Sequence, residues 1–83
     1  MTLKITVLLF AQARDRAGHS RIELALPAGS SVATALETVR REHPALEPLW
    51  PHLAVALDGA LAPGDVPLRD GAEVALLPPV SGG

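Results

Sequence analysis

Gly82 and Gly83 close the sequence, directly after Leu76-Leu77-Pro78-Pro79-Val80-Ser81. Two adjacent glycines at a chain end arise by chance in roughly one sequence in two hundred when glycine is about 7% of residues. A frayed or added terminus is the bland account, and such segments are common. Chemistry offers another. Without Cβ atoms, the pair can take backbone angles closed to other residues and thread a passage too narrow for side chains. Fully extended, the stretch Pro78 to Gly83 spans at most about 20 Å, enough to carry a terminal carboxylate into a partner's pocket. Pro78 and Pro79 fix their own φ and restrict the residue before each, so they set the direction in which the tail leaves. The α-carboxyl, with a reference pKa of about 3.3–3.7, is an anion near neutral pH and a poor electrophile until another enzyme activates it.

Rival chemistry within the chain is sparse. There is no cysteine, which removes disulfides, thiolate metal sites and a persulfide carried on a side chain. His19, His43 and His52 are far apart in sequence, without paired ligand spacing, so a metal site is not expected. Asp58, Asp65, Asp70 and Glu73 lie at turn positions, where a carboxylate more often binds local backbone than moves protons. Ser30 and Ser31 read as helix caps, and Ser81 has no neighbouring histidine to activate it. A glycine-rich phosphate loop is missing. The chain is therefore expected to hold no cofactor and to catalyse nothing alone.

Eighty-three residues make one small domain with a single modest core. With 48% hydrophobic and 19% charged residues the chain suits a folded globule, and Phe10 and Trp50 as sole aromatics leave an aliphatic core. A formal charge of −2 without a basic cluster argues against nucleic acid. The apolar runs fall short of the about 18–20 residues that a membrane span needs, so the chain is expected to be soluble and cytoplasmic.

The elements that must position the tail follow from periodicity. Leu3–Phe10 alternates, with Ile5, Val7 and Leu9 inward and Leu8 and Phe10 on the opposite face. Ala11–Gly18 reads as a connector with at most one helical turn, its charged trio Arg14, Asp15 and Arg16 solvated. Arg21–Leu26 alternates again and pairs with the first strand. A helix starts at Ser30 or Ser31, which lack the acid or amide three residues on that completes a capping box, and ends before Pro44. Its apolar stripe is Val32, Ala35, Leu36 and Val39. Pro44, Pro48 and Pro51 predict a stiff connector, with Trp50 over one end of the core. Leu53, Val55 and Leu57 form a third strand closed by Asp58-Gly59. Ala60–Leu68 holds at most a very short strand, and after a turn at Asp70-Gly71 the last strand covers Ala72–Leu77, with Val74 and Leu76 inward. The order suits an α+β roll, one helix across a mixed sheet.

Leu68–Gly83, together with Val7-Leu8-Leu9-Phe10-Ala11-Gln12-Ala13-Arg14, resembles the molybdopterin synthase small-subunit family of sulfur carriers. The resemblance implies a ubiquitin-like β-grasp fold of four to five strands, with the first and last strands adjacent at the sheet centre. It implies a body over residues 1–77 and a flexible tail over 78–83. An E1-like adenylating enzyme would use ATP in trans on the Gly83 carboxylate, a sulfur donor would convert the adenylate to a thiocarboxylate, and Gly82 would provide passage. The large subunit, which would hold the catalytic pocket, would pass the sulfur to a cyclic pyranopterin precursor to build the dithiolene of molybdopterin. Leu8, Phe10 and Leu77, with Pro78, Pro79, Val80 and Ser81, are the expected contacts to it in a heterotetramer. Ser81 stands where the family often has threonine, and Leu76 and Leu77 where aromatics are frequent. A carrier for thiamine or another thio-product, a ubiquitin-like modifier joined through Gly83, and a plain interaction module are the alternatives.

Overall fold

Alternating burial along Thr2–Leu9 (β1) sets the frame: Ile5, Val7 and Leu9 are buried on one face, while Thr6 and Leu8 are half-buried on the other. The computed structural model describes residues 1–79, so the expectations for Val80, Ser81, Gly82 and Gly83 lie outside the described residues. The remaining elements are a helix α1 (Ala11–Ala17), β2 (Arg21–Pro27), a helix α2 (Val32–Glu42), a 3-10 segment (Pro44–His52), β3 (Ala54–Leu57), β4 (Ala60–Leu61) and β5 (Glu73–Leu77). The sheet order is β2-β1-β5-β3-β4. β1 pairs antiparallel with β2, Ile5 opposite Leu24, and parallel with β5, Val7 opposite Val74 and Leu9 opposite Leu76. β3 runs antiparallel to β5, with Val55 opposite Leu76. First and last strands are therefore adjacent at the sheet centre, as the β-grasp expectation requires.

The apolar stripe of α2 closes the core. Val32, Ala35 and Val39 are fully buried against Ile5, Val7, Val74 and Leu76, and Leu36 packs at the margin. His43 caps the helix, its N–H donating to the Val39 carbonyl at 2.8 Å, and Pro44 prevents continuation.

Three local expectations need correction. First, Ala11–Ala17 is a seven-residue helix, with Gly18 at φ 80 donating its N–H to Arg14, and Ala13 is buried. Second, the capping role left open for lack of an acid is filled by Thr34, whose Oγ1 accepts the Ser31 N–H at 3.4 Å. A hydroxyl on N3 can substitute for a carboxylate because it needs only to accept one hydrogen bond. Third, the proline-rich connector is helical: Pro44 occupies a first-turn position that needs no N–H, and Leu46 and Leu49 become buried. Arg40 fastens this segment to α2, donating from Nε and Nη2 to the two oxygens of the Glu47 carboxylate and lying 5.4 Å from the centroid of the half-buried Trp50 ring. β1 also ends one residue earlier than expected, because Phe10 becomes the residue that precedes α1 and accepts the Ala13 and Arg14 N–H groups.

Gly71, at φ 84, turns the chain into β5 and donates its N–H to the Lys4 carbonyl at 2.8 Å. No atom lies within 4 Å of where a Cβ would stand, so only backbone strain opposes a side chain there. Gly71→Ala is expected to lower stability by about 1–2 kcal/mol in denaturant titration, with an unchanged m-value.

Candidate functional site

β5 carries the chain to the tail. Its inward residues Val74 and Leu76 are fully buried, whereas Ala75 and Leu77 are half-buried on the face turned away from α2. Pro78 is half-buried and Pro79 exposed, so exposure rises as soon as the strand ends.

The pairing register decides what surrounds that exit. Leu8 lies opposite Ala75, Ala75 opposite Ala56, and Ala56 opposite Leu61, a row of apolar side chains crossing β1, β5, β3 and β4. Leu77 and its partner Ala54 form the next row on the same face. Leu61 is 77% exposed and Phe10 44% exposed, high values for side chains of that size. Pairing of β1 with β5 stops at Leu9 and Leu76, so Phe10 and Leu77 are each the next residue along at the same end of the sheet. Leu8, Phe10 and Leu77 thus share one open face, and Phe10, Leu77 and Pro78 lie at one end of the sheet. Ala54, Ala75, Leu61 and the buried Ala56 belong to that face too and were not among the expected contacts, although Ala75 was expected to point away from the core. Alternation alone could have offered Ala54 and Ala56, but only the register joins them to Leu8 and Leu61.

Polar groups border this strip. Asp58, at φ 50, and Gly59, at φ 88, form the hairpin between β3 and β4, the two positive φ angles that a tight turn of this hand demands. The Asp58 carboxylate accepts the Glu73 N–H at 2.9 Å and an Arg69 N–H at 3.2 Å, while its own N–H donates to the Glu73 carbonyl at 2.8 Å. Asp70 accepts the Lys4 N–H at 2.7 Å. Both aspartates therefore bind backbone, as expected of turn residues. The Glu73 N–H, aided by Arg69, holds the Asp58 carboxyl below the usual aspartate range. A depressed folded-state pKa stabilises above the unfolded value of about 3.9 and is lost as pH falls through the folded value. Acid denaturation should therefore show a decline in stability below about pH 4 that Asp58→Asn flattens, measured as the denaturation midpoint against pH.

The structure brings together His19 and His43, which looked remote in sequence: their ring centroids are 6.2 Å apart, nearly edge to face. Folding places the residue after the α1 cap beside the C-cap of α2, a juxtaposition no spacing rule announces. Among the described residues, no three His, Asp or Glu side chains gather as a metal site would require, and no pocket is present. The described residues also contain no helix long and apolar enough to cross a membrane. What the described residues offer is an apolar open sheet face beside the strand end that leads into Pro78 and Pro79.

Known proteins share this fold. A profile of the ThiS family matches residues 7–83. The molybdopterin synthase sulfur carrier subunit of Chlamydomonas reinhardtii is 36% identical over 83 residues, covering 98% of this chain and 100% of that protein. The crystal structure of SAMP1 from Haloferax volcanii superposes with a TM-score of 0.88 at 31% identity, over 96% of this chain and 99% of that one. A Helicobacter pylori complex of subunits 1 and 2 of molybdopterin-converting factor contains a chain matching at TM-score 0.72 and 26% identity, over 98% of this chain and 100% of that one.

Proposed function

This chain belongs to the ThiS family, and from that premise we propose that it is the sulfur-carrier subunit of a molybdopterin synthase. The observation that carries the reading is the end-to-end match to a molybdopterin synthase sulfur carrier subunit. Residues 1–77 act as the body and 78–83 as the tail. An ATP-dependent adenylating enzyme joins the Gly83 carboxylate to AMP with loss of pyrophosphate. A sulfur donor then replaces AMP, leaving a thiocarboxylate. The change matters because adenylation turns an unreactive anion into an acyl group with a good leaving group. No cofactor is held by the chain; ATP acts in trans.

The tail then enters the large subunit, where sulfur passes to the pyranopterin precursor to build the dithiolene. Leu8, Phe10 and Leu77 form the docking patch at its base, and Pro78, Pro79, Val80 and Ser81 line the way in. Gly82 passes the narrowest point. Support for a large-subunit partner comes from the Helicobacter pylori complex of subunits 1 and 2 of molybdopterin-converting factor. The cycle is placed in the cytoplasm. Mass measurement of the intact protein from cells with a working pathway tests the reading: a fraction heavier by one sulfur in place of one oxygen, mapped to Gly83, is expected, and its absence from every such preparation overturns the carrier assignment.

The match to an archaeal modifier protein favours a second use of the same terminus, an amide from Gly83 to lysines of other proteins. Conjugates carrying a Gly-Gly remnant on lysine, found in the same cells, would identify that use.

A further inference from the structure

We infer that the fold holds the chain's own amines at the pole opposite its tail, so that the activated terminus is not consumed by self-acylation. The inference rests on the reading that Gly83 becomes electrophilic. An acyl adenylate reacts with any unprotonated amine within reach: nitrogen attacks the Gly83 carbonyl carbon, the new C–N bond forms, the C–O bond to phosphate breaks, AMP leaves and the amine gives up a proton. No oxidant or reductant is involved. A carrier that spends its adenylate in this way yields a dead cyclic or cross-linked product instead of a thiocarboxylate.

Composition supplies the first half of the argument. Of seven basic residues, six are arginine and Lys4 is the only lysine; there is no cysteine. Arginine carries charge without a nucleophilic lone pair, since its guanidinium stays protonated. Arg14 and Arg16 hold that place on α1, which packs against β5 near the tail exit. The histidines His19, His43 and His52 can attack acyl groups, but they form intermediates that turn over and do not remain as stable amides.

Topology supplies the second half. Because β1 and β5 run parallel, the beginning of β1 lies at the far end of the sheet from the end of β5. The Gly71 N–H donates to the Lys4 carbonyl, which sets Lys4 level with Gly71, six residues before Leu77 (77 − 71). At about 3.3 Å per residue that is about 20 Å along the strand, and the Met1 amine lies about 10 Å farther. The six residues Pro78 to Gly83 reach at most about 20 Å when straight. To meet Lys4, even with the lysine side chain extended toward it, the tail would have to reverse at its two prolines and run back over the sheet for most of its length, a rare conformation with a low effective concentration. The Met1 amine is beyond its span. An antiparallel pairing of the same strands would have put both amines beside the exit.

The test needs no activating enzyme. The protein is prepared as a C-terminal thioester on Gly83, an activated acyl group in its own right, in three forms: wild type, Gln12→Lys and Ala54→Lys. Gln12 lies in the first turn of α1, Ala54 is paired with Leu77, and both are exposed. Each form is incubated at pH 8 and weighed intact, with the acceptor mapped by peptide sequencing. The wild type is expected to hydrolyse, and at least one lysine variant to lose its thiol as a cyclic amide at least about tenfold faster than the wild type cyclises. Cyclisation of the wild type on Lys4 or Met1 at the variants' rate overturns the inference, and so does failure of both folded variants to cyclise. Failure of the carrier reading shows elsewhere, as a lack of ATP-dependent adenylation of the native terminus, and leaves these rates untouched.

Discussion

Adding one alanine after Gly83 is expected to reduce sulfur delivery to background while leaving the thermal midpoint unchanged. The extra residue moves the carboxylate by up to about 3.5 Å along the tail and gives the last carbon a side chain. A displacement of about 1 Å at a reacting centre can cost about 100-fold in rate, so a shift several times larger is expected to leave no measurable transfer. The body should not notice. Strand β5 ends at Leu77 and Pro79 is already exposed, and changes that touch no core contact stay within about 0.5 kcal/mol. Gly82→Val should behave alike, because on the proposed reading a branched side chain would have to enter a passage shaped for bare backbone. Both are checked by molybdopterin formation with the large subunit, alongside a denaturation curve. An extended protein that still delivers sulfur at the normal rate refutes a role for the terminal carbonyl.

The fold was legible where one residue type has one physical job. Alternation in β1 placed Ile5, Val7 and Leu9 in the core, Asp58-Gly59 announced its hairpin, and Pro44 ended α2. The 3-10 segment was harder to see, since three prolines within eight residues read as a breaker. Tighter i to i+3 bonding tolerates them while Leu46 and Leu49 pay for the ordering with burial. The site was legible only in part. Leu8 and Leu77 follow from which positions of a strand face away from the core. Ala54, Ala56, Ala75 and Leu61 depend on the register of three separate strand pairs, and His19 meets His43 through tertiary packing. Local pattern fixes which side a residue faces; it does not fix its neighbours on that side.

Leu76 and Leu77 separate the two duties of β5, because adjacent residues of a strand face opposite ways. Leu76 is fully buried between Leu9 and Val55, its strand partners, and its truncation to alanine leaves a cavity in a core with little room to relax. Leu76→Ala is expected to cost about 2–5 kcal/mol. At about 4–8 °C per kcal/mol for a domain this small, its melting temperature should fall by at least about 8 °C. Leu77 is half-buried on the open face, so Leu77→Ala forfeits about half of the roughly 1.5–3 kcal/mol that full burial of leucine contributes. Its larger effect should fall on association. A side chain at the centre of a docking patch commonly costs more than 1 kcal/mol of binding when truncated, and about 1.4 kcal/mol is tenfold in Kd. Titration calorimetry against the large subunit should therefore show Leu77→Ala binding about tenfold more weakly, with Leu76→Ala close to normal at temperatures where it remains folded. The reverse pattern, weak binding from Leu76→Ala and none of it from Leu77→Ala, would move the docking surface off the open face of the sheet.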